Sequence, residues 1–351
     1  MSSSVTLPNL QSYLDDWAGS DTERQAVAVT IKAIADASVK VCDLITLGPL
    51  AGSLAAVVGD NADGDAQKEL DILANDIFIE GLQGSPVNIF GSEESDTVLR
   101  LNEKGTLAIA IDPLDGSSNI ETNVSVGTIF SILPMASASG PSDEDAVLQP
   151  GRNQLAAGFV IFGPQTALVL TVRQGTHIFT LDPRSGQFHL TSEKVMIPSG
   201  KLEYAINASN YRHWDTPLRA YIDDCMSGDQ GPHGDNFNMR WVASLVAETF
   251  RILVRGGIFL YPRDARPGYQ NGRLRLLYEA NPIALLIEEA GGGATEGEFN
   301  ILDIEPSELH QRVPLIFGSL EKVKRVTNYH NDRTSLISKS PLFGRRGLFR
   351  S

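Results

Sequence analysis

Five consecutive apolar residues, Leu107-Ala108-Ile109-Ala110-Ile111, run directly into Asp112-Pro113-Leu114-Asp115-Gly116-Ser117-Ser118. An unbroken apolar run of this length fits a β-strand covered on both faces. Such a strand carries Asp112 to the edge of its sheet. Pro113 fixes the next φ, and Asp115 follows three residues on, able to turn back toward Asp112. Gly116, Ser117 and Ser118 then offer backbone N–H groups and hydroxyls in a tight turn, a cradle for a phosphate or an oxyanion. Two carboxylates held ~4 Å apart repel by about 4 kcal/mol at an effective dielectric of about 20. A hard divalent cation removes that penalty, and Mg²⁺ prefers oxygen ligands. Taken alone, the segment is also compatible with a solvated turn.

Other acids stand at predicted element ends. Ser92-Glu93-Glu94 follows a short buried strand predicted over Val87 to Phe90. Asp65 and Asp71 flank a helix start, with helical spacing from Asp65 to Gly81. Glu279 closes a strand-like run, Leu274 to Tyr278. Each cluster singly reads as a cap or an exposed face. Together they are what a carboxylate pocket at a sheet edge requires. Arg240, before an apolar helix predicted from Trp241, and Arg273 with Arg275, alternating on one strand face, could supply guanidinium forks for phosphate.

The remaining pattern is mixed α/β. Thr22 to Ile45 has helical spacing with Asp21 as its cap, and the glycine-rich residues 46–64 read as a loop able to move. Apolar strands follow at Val124 to Leu133, Ala156 to Phe162 and Thr166 to Arg173. Residues 136–154 read as a loop, and residues 176–200 as a hairpin turning at Asp182-Pro183-Arg184-Ser185-Gly186. Beyond Pro198-Ser199-Gly200 come helices at Thr216 to Met226, Ala243 to Val254 and Pro282 to Ala290, and a strand at Gly257 to Tyr261. A length of 351 residues suits roughly two domains of ~150 residues. The expected division is 1–199, 200–335 and a basic tail, 336–351.

A formal net charge of -14 disfavours nucleic acid and anionic membranes as partners. A phosphorylated ligand is repelled too, unless metal or arginine reverses the field locally. The mean hydropathy of -0.08 and the absence of an ~18-residue apolar run speak against a membrane span. Cys42 and Cys225 are too few for a disulfide framework or a structural zinc site. With no signal-like N-terminus, a cytoplasmic location is expected.

Asp112-Pro-Leu-Asp-Gly-Ser-Ser-Asn119 with Ser92-Glu-Glu94 resembles the class 1 fructose-1,6-bisphosphatases, within the lithium-sensitive sugar phosphatases. Val126 to Phe130, Leu148 to Arg152, Gly256 to Pro262 and Leu274 to Pro282 extend the likeness, which runs in order from about Thr22 to Tyr329. The resemblance implies alternating helix and sheet layers (αβαβα) in two domains. It also implies hydrolysis of the 1-phosphate of fructose 1,6-bisphosphate to fructose 6-phosphate, with two or three Mg²⁺ ions per site and Mn²⁺ as an alternative.

Residue by residue, Asp65, Glu93, Asp112, Asp115, Glu279 and the Leu114 carbonyl match the family's metal ligands. Asp71 and Glu94 match the pair that activates the attacking water. Gly116, Ser117 and Ser118 match the turn that holds the 1-phosphate, and Arg275 an arginine that contacts it. Asn207, Tyr261 and Arg273 match the pocket for the 6-phosphate and sugar, with Asn210 or Tyr211 as a further contact. Arg240 matches an arginine that reaches a neighbouring subunit's site, which implies a homo-oligomer, usually a tetramer.

Departures matter as well. Arg273 replaces a usual lysine and Trp241 a usual tyrosine, which keeps sedoheptulose 1,7-bisphosphate open as an alternative or second substrate. Trp17-Ala-Gly-Ser20 and Thr106-Leu107 differ from the residues that hold AMP in the animal enzymes, so weak or absent AMP inhibition is expected. The cysteine-bearing insertion of the light-regulated form is missing. A non-catalytic sugar-phosphate-binding regulator on the same scaffold is the reading from a different class.

Overall fold

The computed structural model describes residues 7–51, 57–60, 66–135 and 142–331. In chain order it contains helices α1 (Leu10–Ala18) and α2 (Thr22–Leu47), the hairpin β1 (Val57–Asp60) and β2 (Ala66–Lys68), and helix α3 (Glu69–Leu82). Strands β3 (Val87–Ser92), β4 (Leu99–Arg100), β5 (Leu107–Asp115), β6 (Val126–Pro134), β7 (Ala156–Phe162), β8 (Thr166–Thr171), β9 (Thr176–Asp182) and β10 (Gln187–Val195) follow. The rest comprises β11 (Glu203–Ala205), α4 (Thr216–Met226), β12 (Asn238–Met239), α5 (Leu245–Arg255), β13 (Ile258–Tyr261), β14 (Leu274–Arg275), α6 (Asn281–Glu289), β15 (Gly292–Thr295), β16 (Arg312–Val313), β17 (Leu315–Ser319) and α7 (Leu320–Asn331).

Side-chain alternation sorts these elements into five layers. An eight-stranded sheet has the order β10-β9-β8-β7-β6-β5-β3-β4, and a five-stranded sheet the order β12-β11-β13-β17-β15. On one face of the large sheet, Ile109, Ile111, Phe130 and Ile132 pack against Leu14, Ile31, Ile34 and Phe78 of α1, α2 and α3. On its other face, Ile129, Phe159 and Val169 meet Val246 and Ile252 of α5, Ile283 and Leu286 of α6, and Phe259 and Phe317 of the small sheet. Ile258 and Leu260, one residue out of phase with Phe259, face Leu218 and Ile222 of α4 and Val323 and Val326 of α7. The order is therefore αβαβα.

Most predicted elements are found within a few residues, including the hairpin turning at 182–186. Several expectations are corrected. Helix α3 begins at Glu69 rather than Asp65, because residues 66–68 pair with β1. Within the predicted loop 46–64, α2 runs to Leu47, a 3₁₀ turn spans Gly48–Ala51, and β1 covers Val57–Asp60. Asp65 itself and the basic tail lie outside the described residues. Leu274 to Tyr278 is not one strand, since only Leu274 and Arg275 pair, with β16, and Leu276–Ala280 form a π-type turn leading into α6. All five residues of that turn are buried, and an apolar run buried on every side carries no periodicity to tell strand from helix. Arg273 precedes the strand, so it does not alternate with Arg275 on one strand face. Helix α5 starts at Leu245, capped by the Ser244 hydroxyl, because Ala243 sits at φ 60° and cannot be helical.

Candidate active site

Strands β3 and β5 are parallel neighbours, with Ser92 paired to Ile111. Their carboxyl ends therefore lie side by side, and the residues leaving them, Glu93-Glu94 and Asp112 to Asp115, emerge together. The Glu93 N–H donates to the Ile111 carbonyl at 3.0 Å, which fixes this exit. Helix α3 is tied to the same point, since Ser92 Oγ donates to Asn75 Oδ1 at 2.7 Å. That contact brings Asp71, in the first turn of α3, alongside Glu94 and Ser117.

Asp112 and Asp115 are three residues apart, and on a regular strand they would point to opposite faces. The register shows otherwise. Asp112 pairs with Ile129 and Asp115 with Gly127, so β5 spends three residues where β6 spends two. The extra residue is a β-bulge at Pro113-Leu114, where a proline's missing N–H is tolerated. It returns Asp115 to the Asp112 side. The Leu114 N–H donates to Asp112 Oδ1 at 3.0 Å, and the Pro113 carbonyl accepts from Thr128 Oγ1 at 2.9 Å, which holds the bulge shut.

Glu93, Asp112 and Glu279 each present a carboxylate oxygen within 4.8 Å of the others. Glu279 reaches them from the π-type turn, where its Oε2 accepts the Arg275 N–H at 2.6 Å. Asp115 is not part of this tightest group. Its Oδ2 accepts the Val246 N–H at 3.1 Å, at the N-terminus of α5, where the helix dipole favours an anion. Gly127 makes that approach possible. A Cβ there would run into the Val160 carbonyl oxygen and lie 2.8 Å from both Val246 methyl groups.

The electrostatics follow from this crowding. Burial is the main force raising each carboxyl, and neighbouring acids add to it. Asp112 is pushed well above the usual range by burial and by Glu93, Asp115, Glu279 and Glu94. Asp115 rises to about 7, against the pull of the Val246 and Leu245 N–H groups. Glu279 rises to about 7 although Arg275 and Arg312 oppose the shift. Asp71 rises to about 7, with the Lys68 N–H and the Ser117 hydroxyl opposing burial and Glu94. Like charges this close cannot all ionise without a counter-cation.

This donor set fits a hard divalent ion. Every side-chain donor is a carboxylate oxygen, with no histidine or cysteine in the group, which suits Mg²⁺ or Mn²⁺ rather than Zn²⁺. Arg275 is buried against the cluster, its Nη1 3.2 Å from Glu93 Oε1. Gly116 adopts φ 77°, which a glycine tolerates, and starts a 3₁₀ turn, Ser117–Thr122, with Ser118 exposed. Asn119 Nδ2 ties this turn to the Ala243 carbonyl at 2.8 Å.

A narrow cleft is lined by Asn207, Asn210, Trp241 and Tyr261, together with Trp214, Asp264 and Arg266. Trp241 stacks on Phe259 at 5.8 Å and 7°. Arg273 lies over the Tyr269 ring at 5.0 Å and acts electrostatically on Tyr261. Tyr211 does not line this cleft, because its hydroxyl donates to Asp223 Oδ1 at 2.8 Å and its ring packs on Trp214. Arg240 stands apart as well. Its side chain is 55% exposed, and Nε is 3.7 Å from Glu203, which Lys201, Arg251 and Arg255 also approach. Sequence reasoning missed Arg312, which pairs with Arg275 across β14 and β16 and acts on Glu279. One basic residue before an apolar strand gave no signal of this.

The chain matches the family model described as Fructose-1-6-bisphosphatase, N-terminal domain, over residues 17–193 and the model for its C-terminal domain over residues 197–331. It is 54% identical over 342 residues to a class 1 fructose-1,6-bisphosphatase of Nitrobacter hamburgensis, covering 97% of this chain and 98% of that one. It is 52% identical over 345 residues to a class 1 enzyme of Rhizobium meliloti, with 97% and 99% covered. The crystal structure of Leishmania major fructose-1,6-bisphosphatase in holo form superposes with a TM-score of 0.86 at 34% identity, covering 93% of this chain and 99% of the other. With carboxylates gathered at the ends of two parallel strands and likeness along nearly the whole length, the chain belongs to the class 1 fructose-1,6-bisphosphatase family.

Proposed function

We propose that the chain hydrolyses the 1-phosphate of fructose 1,6-bisphosphate, giving fructose 6-phosphate and phosphate. The observation that carries this reading is the convergence of Glu93, Asp112 and Glu279 beside the Gly116-Ser117 turn. Glu93, Asp112, Asp115, Glu279 and the Leu114 carbonyl are the groups that would hold Mg²⁺ or Mn²⁺, with Asp65 as a further family match. Bound there, the ions neutralise phosphate charge and make the attacking water more acidic.

The chain's own groups supply the rest. The N–H groups and hydroxyls of residues 116–118 and the Arg275 guanidinium hold the phosphoryl oxygens and stabilise charge as it develops. Glu94 acts electrostatically on Asp71, and a carboxylate whose pKa is about 7 can take a proton from water at neutral pH. The new P–O bond forms opposite the C1 oxygen, which leaves and takes up a proton. Asn207, Asn210, Trp241, Tyr261 and Arg273 receive the sugar and its far phosphate. Tyr211, engaged with Asp223, is the weaker candidate for this role.

Arg240 is proposed to serve the site of a neighbouring copy in a homo-oligomer, since its exposed guanidinium points to no role in its own cluster. The proposed domain division at about residue 199 falls between β10 of the large sheet and β11 of the small one. Phosphate release from fructose 1,6-bisphosphate in Mg²⁺, abolished by EDTA, tests the reading. Release unaffected by EDTA, or none at all, contradicts it. Trp241, where the family usually has a tyrosine, favours testing sedoheptulose 1,7-bisphosphate in parallel. Comparable kcat/KM for both sugars would establish a dual-substrate enzyme.

A further inference from the structure

Tyr261 feels charges of both signs. Burial raises its phenol pKa, Glu279 and Tyr269 push in the same direction, and Arg273 and Arg266 oppose them. Glu279 of the carboxylate cluster and a pair of guanidinium groups therefore both act on this ring. Arg266 is not among the residues the family resemblance carries over. It comes from the connection between β13 and β14, which holds Arg263, Arg266 and Arg273 against the single acid Asp264. In a chain with a net charge of -14, this is a local reversal of sign.

The connection is built from within. Asp264, with only 3% of its side chain exposed, accepts from the Arg266 backbone N–H at 2.9 Å and from its Nε at 3.0 Å. The Asp264 N–H donates to the Tyr269 carbonyl at 3.1 Å, and the Tyr269 N–H to the Arg266 carbonyl at 3.0 Å. Arg266 Cζ then lies 4.0 Å from the centroid of the Tyr269 ring, the same ring that Arg273 approaches at 5.0 Å. One tyrosine thus gathers two guanidinium groups that would otherwise repel each other. Asp264 takes the Nε and Nη2 side of Arg266, and among the described residues Nη1 has no hydrogen bond or ion pair. Arg266 also lines the cleft with Asn207, Asn210 and Tyr261.

We propose that Arg266 is a specificity-determining residue that, with Arg273, binds the sugar bisphosphate's phosphate farthest from the bond cleaved, and that Tyr269 is the positioning residue that sets the two guanidinium groups. The inference rests on the phosphatase reading and names residues for one end of its substrate. Two planar forks gathered by one ring suit a phosphate dianion, and a charge-assisted contact of this kind corresponds to a change of about 10-fold in affinity or more.

The test compares fructose 1,6-bisphosphate with fructose 1-phosphate, which lacks the far phosphate. Arg266→Ala is expected to raise KM for the bisphosphate about 10-fold, with kcat within about two-fold and turnover of fructose 1-phosphate unchanged. Tyr269→Ala should shift KM the same way, and Tyr269→Phe, which keeps the ring, should restore the parent value. An unchanged KM for the bisphosphate, or equal losses on both substrates, overturns the proposal. Calorimetric binding of fructose 6-phosphate is a second arm that needs no turnover. Affinity about 10-fold weaker in Arg266→Ala supports the proposal, and equal affinity overturns it. A parent protein that binds this sugar phosphate but hydrolyses neither substrate would count against the phosphatase reading instead.

Discussion

Asp112 and Asp115 share one side of the sheet because the β-bulge between them spends three residues of β5 against two of β6. The two carboxyls are thereby delivered by one strand to one place. Asp112 joins Glu93 and Glu279, and Asp115 is held at the N-terminus of α5.

The closeness of α5 depends on Gly127, opposite Asp115. Gly127→Ala should push α5 off the sheet by the few tenths of an ångström or more that the added methyl needs, and so loosen the Val246 contact to Asp115. The expected outcome is a loss of about 1–3 kcal/mol in urea unfolding, with activity falling more than about 10-fold. Parent-like stability and rate would show that the packing is not tight there.

The acid cluster sets a pH dependence of stability in the metal-free protein. Asp71, Asp115 and Glu279 have folded-state pKa values raised to about 7. Their contribution to stability is fully present below the unfolded carboxylate range near 4 and is lost as pH rises through about 7. Glu203, Asp215 and Asp264 are shifted down, so their contribution changes below that window. His330 is raised and acts in the same direction as the cluster. The ion-dependent part isolates the site. In EDTA, the urea midpoint should fall between pH 5 and pH 8, and Mg²⁺ should recover it at pH 8 far more than at pH 5. A Mg²⁺ effect equal at both pH values would contradict this.

Much of this site was legible in the sequence, for a physical reason. A strand buried on both faces must be apolar throughout, so Leu107 to Ile111 identified itself, and polar residues packed at its end needed explanation. The bulge was not legible. Pro113 reads as the end of a strand, yet β5 continues to Asp115 because the bulge excuses the missing N–H. The turn at Leu276–Ala280 was hidden by complete burial, which erases the period that distinguishes helix from strand. Trp241 and Val242 looked like the start of α5, but Ala243 at φ 60° delays it to Leu245. The role of Arg312 arises only from its cross-strand pairing with Arg275.

Arg240 gives a test of assembly. Its ion pair with the buried Glu203 is long, at 3.7 Å, and Glu203 keeps the closer Lys201 and Arg251 without it, so losing the pair costs little stability. Arg240→Ala should leave the melting temperature within about 1 °C while raising KM for the bisphosphate about 10-fold. Mixing inactive Asp112→Asn subunits with Arg240→Ala subunits should restore parent-like KM in hybrid oligomers, since each supplies what the other lacks. No recovery on mixing would mean that Arg240 acts within its own chain.

The turn between α1 and α2 is filled by the chain itself. Gln25 Nε2 donates to the Gly19 carbonyl at 2.8 Å, Asp21 Oδ1 accepts the Arg24 N–H at 2.9 Å, and the Arg24 guanidinium lies over Trp17. Because Trp17 to Ser20 and Thr106-Leu107 depart from the family's AMP-holding residues, millimolar AMP should leave phosphate release unchanged. Inhibition at micromolar AMP would show that the family's effector site survives with different residues.

The central claim is that Glu93, Asp112 and Glu279 form one divalent-ion site, and direct Mn²⁺ binding followed by electron paramagnetic resonance tests it most directly. Wild-type protein should bind Mn²⁺, with Mg²⁺ competing, whereas Asp112→Asn and Glu279→Gln should each lose that binding while keeping a cooperative thermal transition. Undiminished Mn²⁺ binding by both folded variants would contradict the account.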